Sequence, residues 1–131
     1  MIHGELTDEI IKAFYLVYNT LGYGFLEKVY GNALCIELKK NGLQIVQQCQ
    51  IQVYYEGCVI GEYFADMVVN DLIILELKAA EQIREEHVAQ LTNYLKATTK
   101  EVGLLLNFGR KPEFRRIVFT EKFRFNPRKS A

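Results

Sequence analysis

The sequence lacks the features of a membrane-bound or exported protein. No apolar run approaches the roughly 18 residues that a membrane-spanning helix needs. The first residues, MIHGELTDEIIK, contain acidic side chains where a signal peptide has a basic end followed by an apolar core. We therefore expect a soluble, cytoplasmic protein that makes no contact with a membrane.

Cysteine is scarce, and its spacing predicts neither a disulfide framework nor a zinc site. The three cysteines, Cys35, Cys49 and Cys58, are odd in number and form no CxxC pair. None of them has a histidine at the spacing of zinc ligands. The sequence therefore predicts buried free thiols.

An excess of charge of one sign is missing as well. The 16 Lys and Arg residues balance the 16 Asp and Glu residues, so the overall charge gives no indication of nucleic-acid binding. The distribution is uneven, because residues 110–131 contain eight basic residues against Glu113 and Glu121. A basic C-terminal segment on an acidic body is typical of a protein with a polyanionic partner, but an ordinary solvated tail has the same composition.

What the sequence does have is the length and periodicity of one folded domain. A chain of 131 residues can bury about two-thirds of its unfolded surface, so residues 1–131 are predicted to form a single domain. The apolar pattern predicts helices at residues 8–21, 25–40 and 83–99, and strands at residues 44–55, 58–69, 72–78, 102–108 and 115–120. The order ααβββαββ predicts an α/β fold in which helices flank a mixed β-sheet, with one parallel crossover through the third helix.

Apart from its turn at Asn70 and Asp71, the segment FADMVVNDLIILELKAA has the composition of strand interior, yet it contains three ionisable residues, Asp66, Glu76 and Lys78. Side chains alternate along a strand, so Glu76 and Lys78 lie on the same face. A two-residue turn at Asn70 and Asp71 would send Asp66 to the other face. A three-residue loop or one bulge would place it opposite Glu76. The hypothesis of a shared site therefore requires an odd loop.

Two carboxylates and a lysine on one face suit a hard divalent cation such as Mg²⁺, which binds through one or two carboxylates and substrate phosphate oxygens. The lysine would then orient or activate a water and offset charge on the phosphorus. The alternative is a surface hairpin whose outer face is simply wet. The apolar run DLIILEL disfavours that alternative.

Two helices carry further candidate residues. In GFLEKVY, Glu27 lies at the edge of the apolar stripe of the second helix and Tyr30 near its centre. Glu37 also falls near the middle of this stripe, and the sequence leaves open whether it supports the site or lies at a frayed helix end. On the third helix Gln90 and Tyr94 form a Q-x-x-x-Y pair that can hold a lysine, a water or a phosphate. His87, on the same face, is interpreted as structural or solvent-facing.

Together these residues resemble those of a known family. GFLEKVY matches the G-x-x-E-x-x-Y signature of the GxxExxY protein family, a branch of the PD-(D/E)XK nuclease superfamily. The segments LGYGFLEKVYGNAL, ADMVVNDLIILELKA, QLTNYLK and EVGLLLNFG resemble its sequence blocks in the same order, so the resemblance covers about residues 5–120. It implies the restriction-endonuclease-like core of the superfamily, a mixed sheet flanked by helices.

The resemblance also implies an activity and the residues that carry it. The activity is Mg²⁺- or Mn²⁺-dependent hydrolysis of phosphodiester bonds in nucleic acid, with DNA as the expected substrate. The implied metal ligands are Glu27, Asp66, Glu76 and the carbonyl of Leu77; Lys78 is the implied catalytic lysine; and Gln90 and Tyr94 are the Q-x-x-x-Y pair of the exonuclease-like branches. Ala65 and Tyr23 stand where these families often have proline, but neither departure removes a ligand.

Two hypotheses follow for the function. In the first, the protein is a metal-dependent nuclease, and its basic C-terminal segment follows the nucleic-acid backbone. In the second, it is a non-catalytic module of the same fold that binds nucleic acid or a partner protein and keeps the acidic residues for stability. Only the nuclease should gain thermal stability from Mg²⁺ or Mn²⁺. Because one small domain covers little duplex, a homodimer is a further hypothesis.

Overall fold

The structure is a computed structural model that describes residues 1–120. Within that part of the chain the elements are α1 (Gly4–Leu21), α2 (Glu27–Lys40), β1 (Ile45–Tyr55), β2 (Cys58–Val69), β3 (Ile73–Lys78), α3 (Glu85–Lys96), β4 (Val102–Phe108) and β5 (Pro112–Val118). The predicted α/β class and the order ααβββαββ are confirmed. Of the predicted basic segment, residues 121–131 lie outside the described residues. No helix in residues 1–120 is both long enough and apolar enough to cross a membrane.

The strands form a five-stranded mixed sheet in the order β1-β2-β3-β4-β5. Neighbouring strands are antiparallel, except that β3 and β4 run parallel with Ile73 opposite Val102 and Lys78 opposite Asn107. A parallel pair needs a crossover connection, and α3 lies in it as predicted. Lys78 therefore ends its strand beside the end of β4.

The sheet separates two hydrophobic clusters because successive side chains of a strand point to opposite faces. In β3, Leu75 and Leu77 pack into the cluster formed with α1 and α2, whereas Ile74 packs into the cluster formed with α3. Each fully buried leucine of this kind contributes about 1.5–3 kcal/mol. By the same alternation, Glu76 lies on the face of the sheet that α3 covers.

Helix α3 packs unusually close to β4 at Gly103. A Cβ atom at this position would come within 2.9 Å of the side chain of Leu91, which is fully buried. Glycine therefore allows Leu91 to lie directly on the strand, and this contact fixes the distance between α3 and the sheet.

The hairpin of β1 and β2 extends well beyond β3. Strand β2 pairs with β1 over almost its whole length, but it pairs with β3 only at residues 67–69. Glu56 and Gly57 form the predicted two-residue turn, and both have the positive φ angles that such hairpin turns need. The half of the hairpin that ends in this turn therefore has no β3 partner.

Several element boundaries differ from the prediction. The structure begins α1 at residue 4 rather than 8, α2 at 27 rather than 25 and β3 at 73 rather than 72; α3 covers 85–96 rather than 83–99, and β5 covers 112–118 rather than 115–120. The shift in β3 has a local cause. Asn70 and Asp71 both adopt left-handed backbone conformations, which widen the turn until Leu72 belongs to the loop.

The prediction for the cysteines is correct in one respect and wrong in another. All three thiols are free, and Cys35 is buried as predicted. Cys49 is only half-buried and Cys58 is exposed. Both belong to the part of the β1–β2 hairpin that extends past β3, where fewer neighbours cover the strands.

Candidate functional site

The position of Asp66 depends on the loop between β2 and β3. The strand register pairs Val69 with Ile73, so the loop consists of the three residues 70–72. This is an odd loop, as the hypothesis of a shared site requires. Continuing the register places Asp66 opposite Glu76.

Beyond this ladder, carboxylates replace the backbone as hydrogen-bond partners. The backbone N–H of Asp66 donates to Oε2 of Glu76 over 2.9 Å, and the backbone N–H of Leu77 donates to Oδ2 of Asp66 over 2.7 Å. The last paired residues before this point are Met67 and Leu75. The strands therefore separate at Asp66, and the two carboxylates lie between them, each held by a buried or half-buried N–H.

The carboxylate of Glu76 is almost fully removed from water, with 3 % of the residue exposed. The pKa of Glu76 is raised to about 8, first by burial and then by the charge of Asp66 and the hydrogen bond with its carboxylate, whereas the Asp66 N–H and the charge of Lys78 act in the opposite direction. Two neighbouring anions in a site of low polarity are unfavourable without a cation. The protein thus holds an acidic pair whose repulsion a proton or a positive ion would relieve.

Lys78 continues the site toward α3, as the Q-x-x-x-Y pattern indicates. Its ammonium donates to Oε1 of Gln90 over 3.2 Å, and Nε2 of Gln90 donates to the hydroxyl of Tyr94 over 3.2 Å. Tyr94 is buried, and its pKa is raised by that burial and by the charge of Glu76. The structure therefore brings together five of the residues singled out in the sequence: Asp66, Glu76, Lys78, Gln90 and Tyr94.

Glu27 reaches the edge of this site from the first turn of α2. Its Oε2 accepts the backbone N–H of Ala79 over 3.3 Å, directly after Lys78. Glu37 does not take part, because it pairs at the other end of the helix with Lys40 over 3.4 Å. The sequence left the role of Glu37 open, and the structure assigns it to a surface ion pair.

The loop that precedes Glu27 is held by Tyr30, three residues further along the chain than Glu27. The hydroxyl of Tyr30 donates to the carbonyl of Gly22 over 2.6 Å and accepts the N–H of Phe25 over 3.2 Å. Its ring is fully buried and stacks on Phe108 with the ring centroids 4.2 Å apart. Tyr30 thus closes the loop that precedes Glu27 and fixes the direction in which α2 begins.

The sequence did not reveal what holds the chain after Lys78. Asn107, fully buried at the end of β4, accepts the N–H of Ala80 over 2.9 Å and donates to the Ala80 carbonyl over 3.0 Å. Gly109 lies so close to the same carbonyl that a Cβ atom would come within 2.3 Å of it. The hydroxyl of Tyr18 bonds to the Gly109 carbonyl over 2.8 Å. The one signal in the sequence is the polar Asn107 in the apolar run VGLLLNFG.

His87 has the structural role that the sequence predicted. Its Nδ1 accepts the N–H of Arg84 over 3.0 Å and so caps the first turn of α3. It contributes no ligand to the acidic pair.

A cavity of about 500 Å³ opens over Asp66 between α2 and the strands. We refer to it as the acidic cavity; it is lined by Glu27, Lys28, Gly31, Asn32, Gln47, Gln48, Asp66, Met67 and Leu77. In residues 1–120 no three His, Cys, Asp or Glu side chains lie close enough together to enclose a metal ion. A cation here would therefore bind to a pair of carboxylates and complete its shell with other oxygen atoms.

The comparisons with known proteins agree with this architecture. A family model described as the PD-(D/E)XK nuclease superfamily matches residues 4–117. The crystal structure of SSO0001 is similar with a TM-score of 0.54 and 20% identity, over 92% of this chain and 61% of that one. At this identity the likeness shows the fold alone, and the chain spans less than two-thirds of that protein. A search of curated proteins gives no significant match. The family model covers most of the chain, which therefore belongs to the PD-(D/E)XK nuclease superfamily.

Proposed function

We propose that this protein is a Mg²⁺- or Mn²⁺-dependent nuclease of the GxxExxY branch, which hydrolyses phosphodiester bonds in nucleic acid, with DNA as the expected substrate. The observation that carries the proposal is the pair formed by the half-buried Asp66 and the buried Glu76, beside the ammonium of Lys78. Membership of a nuclease superfamily supports hydrolytic chemistry at such a site.

The donor atoms fit a hard divalent cation. Mg²⁺ commonly binds to one or two carboxylates and keeps waters or substrate phosphates in its other positions. Asp66 and Glu76 would be these carboxylates, with the carbonyl of Leu77 as a further ligand. Glu27 lies at the edge of the site, and it would join them only by leaving the Ala79 N–H that it accepts. The raised pKa of Glu76 supports this assignment, because a cation would relieve the repulsion that now favours a proton. When bound, the ion would act as a Lewis acid toward the scissile phosphate.

The chain's own residues would orient the reaction. The Lys78 ammonium carries a positive charge that would hold the attacking water and offset negative charge developing on the phosphate. Gln90 accepts from this ammonium and donates to Tyr94, an arrangement that keeps the amide oxygen toward the lysine. Tyr94 is thus a positioning residue in the proposal, and Lys78 is the catalytic one.

The structure also favours a second candidate, a non-catalytic module that binds nucleic acid or a protein. The observation behind it is that Glu27, Asp66 and Glu76 each accept a backbone N–H. Acidic residues with such bonds contribute to the fold whether or not a metal binds. The two candidates differ in their response to metal, since a ligand that binds the folded state raises its stability.

The deciding experiment is a cleavage assay on labelled single- and double-stranded DNA and RNA with Mg²⁺ or Mn²⁺. We expect the wild type to cut at least one of the four substrates, and Glu76→Ala and Lys78→Ala to lose this activity. Glu37→Gln is the matched control, because its carboxylate belongs to a surface ion pair away from the site.

A thermal-unfolding series with and without Mg²⁺ completes the experiment. A rise in Tm that disappears in Glu76→Ala supports metal binding at the acidic pair. Absence of cleavage on all four substrates, together with no change in Tm, would overturn the nuclease proposal and leave the binding module.

A further inference from the structure

A second cavity, of about 670 Å³, adjoins the acidic cavity and has no role in the mechanism above. We refer to it as the loop cavity; it is lined by residues 23–28, 79–81 and 108–110. The two cavities share Glu27 and Lys28. Its volume is in the range of small-molecule sites in proteins. A ligand in the loop cavity would therefore lie next to any phosphate bound at the acidic pair.

The loop cavity has aromatic rings at its rim, and its charged lining residues are two basic ones, Lys28 and Arg110, and two acidic ones, Glu27 and Glu81. Tyr23 is 59 % exposed, and the guanidinium of Arg110 lies over its ring, 5.9 Å from the ring centroid. Phe25, on the same loop, is 46 % exposed. Large aromatic rings left open to solvent contribute little to folding, whereas they are well suited to stacking on the flat face of a ligand.

The walls of the loop cavity are held by partly buried hydrogen bonds between side chains and the backbone. Tyr30 holds the loop that carries Tyr23 and Phe25 through its bonds to Gly22 and Phe25. Asn107 holds the opposite wall through its two bonds to Ala80. A cavity with walls held in this way presents its aromatic rings in a fixed direction, which lowers the entropic cost of binding a planar ligand.

From this geometry we infer that the loop cavity binds the base of an unpaired nucleotide next to the scissile phosphate. The base stacks on the face of Tyr23 opposite Arg110, and Lys28 contacts the adjoining phosphate from its position between the two cavities. A base inside a duplex is already stacked, so the site selects single strands or unpaired ends. That the ligand is nucleic acid rests on the proposed function; the stacking site is the new element.

The test is a binding measurement that needs no cleavage. Fluorescence anisotropy, in EDTA at one fixed salt concentration, compares an oligo(dT) with an abasic tract of the same length and charge. Phosphate contacts are the same for both ligands, so the ratio of the two affinities reports base stacking alone. We expect wild type to prefer oligo(dT) by about 5- to 100-fold, the range for one stacked base.

Variants of the loop assign this preference to the cavity. Tyr23→Ala should bring the ratio close to one, and Tyr23→Phe, which keeps the ring, should retain it. Tyr55→Ala is the matched control, because Tyr55 is exposed to a similar degree (62 %) at the tip of the β1–β2 hairpin. An equally long oligo(U) shows whether the site distinguishes RNA from DNA.

The outcomes separate this inference from the proposed function. Equal affinity of the wild type for both ligands, no binding of either, or a preference that Tyr23→Ala leaves intact would overturn the stacking site, even for an active nuclease. A preference lost only in Tyr23→Ala would establish the site, even if no substrate were cleaved.

Discussion

The two ends of the β2–β3 hairpin are built on different principles. At the closed end, Met67–Val69 pair with Ile73–Leu75 in a regular antiparallel ladder whose side chains are buried in the core. At the open end, Asp66 lies opposite Glu76, and carboxylate oxygens accept the backbone N–H groups of Asp66 and Leu77. The same two strands thus change within one residue from backbone pairing to side-chain pairing.

The difference shows how an acidic pair can remain in the interior of a small protein. A buried carboxylate without partners costs several kcal/mol, but here each carboxylate accepts a hydrogen bond from a backbone N–H. The paired strands of the closed end stabilise the hairpin and fix its register. Because of this register, the carboxylates of Asp66 and Glu76 lie side by side at the open end. Variants at the two ends should therefore affect different properties.

The largest effect is expected for Lys78→Met, which removes the charge at the open end and keeps most of the side-chain length. Loss of a positioned charged group of this kind lowers the cleavage rate by about 10²- to 10⁴-fold. Initial rates on the best substrate measure it, with Lys39→Met, on the exposed surface of α2, as the control. A rate within about threefold of wild type would show that the open end is not catalytic.

A pair of variants separates the two ends directly. Leu75→Ala removes a fully buried side chain at the closed end and should lower the free energy of unfolding by about 2–5 kcal/mol, while Mg²⁺ still raises Tm. Asp66→Asn keeps an oxygen for the Leu77 N–H and relieves repulsion with Glu76, so metal-free stability should change little. The rise in Tm with Mg²⁺ should then be absent.

Urea unfolding and thermal scans of both proteins, with and without Mg²⁺, provide the data. The separation fails if Leu75→Ala also abolishes the response to Mg²⁺ while remaining folded, or if Asp66→Asn keeps that response in full. Either result would mean that the metal does not bind at the acidic pair.

The comparison also explains what the sequence could predict. Helical and strand periods are local, so the sequence could predict the order of elements and the odd loop at residues 70–72 as a condition for the site. It could also predict that Gln90 and Tyr94 form a pair able to hold Lys78. The hydrogen bond from the Ala79 N–H to Glu27 could not be predicted, because the two residues are 52 positions apart in the chain. Asn107 was missed for the same reason, since its partner Ala80 becomes a neighbour only through the parallel pairing of β3 and β4.

An effect of similar size is expected in the pH dependence of the metal-free protein. The pKa of Glu76 is raised to about 8 in the folded state from an ordinary value of 4.5, so between these values the folded state binds a proton that the unfolded state has lost. Stability then falls as pH rises, by at most about 1.4 kcal/mol per pH unit from this group. Glu76→Gln should remove this slope.

Urea unfolding at pH 5, 6, 7 and 8 in the presence of a chelator tests the prediction. The difference between wild type and Glu76→Gln cancels the contribution of the other titrating groups. Parallel pH profiles of wild type and Glu76→Gln would show that Glu76 is already charged at neutral pH and that its pKa is not raised by burial and Asp66.

The smallest effect is expected for Tyr30→Phe, which keeps the stacking on Phe108 and removes only the hydroxyl that joins Gly22 and Phe25. Both backbone groups lie near the surface, where water can replace the hydroxyl, so the loss of stability should be about 1 kcal/mol. The cleavage rate should fall more than this loss suggests, because the loop sets the direction of Glu27. Tyr55→Phe, at the tip of the β1–β2 hairpin, should change neither quantity. Equal effects of the two variants on the rate would show that Tyr30 acts on the fold alone and does not position the site.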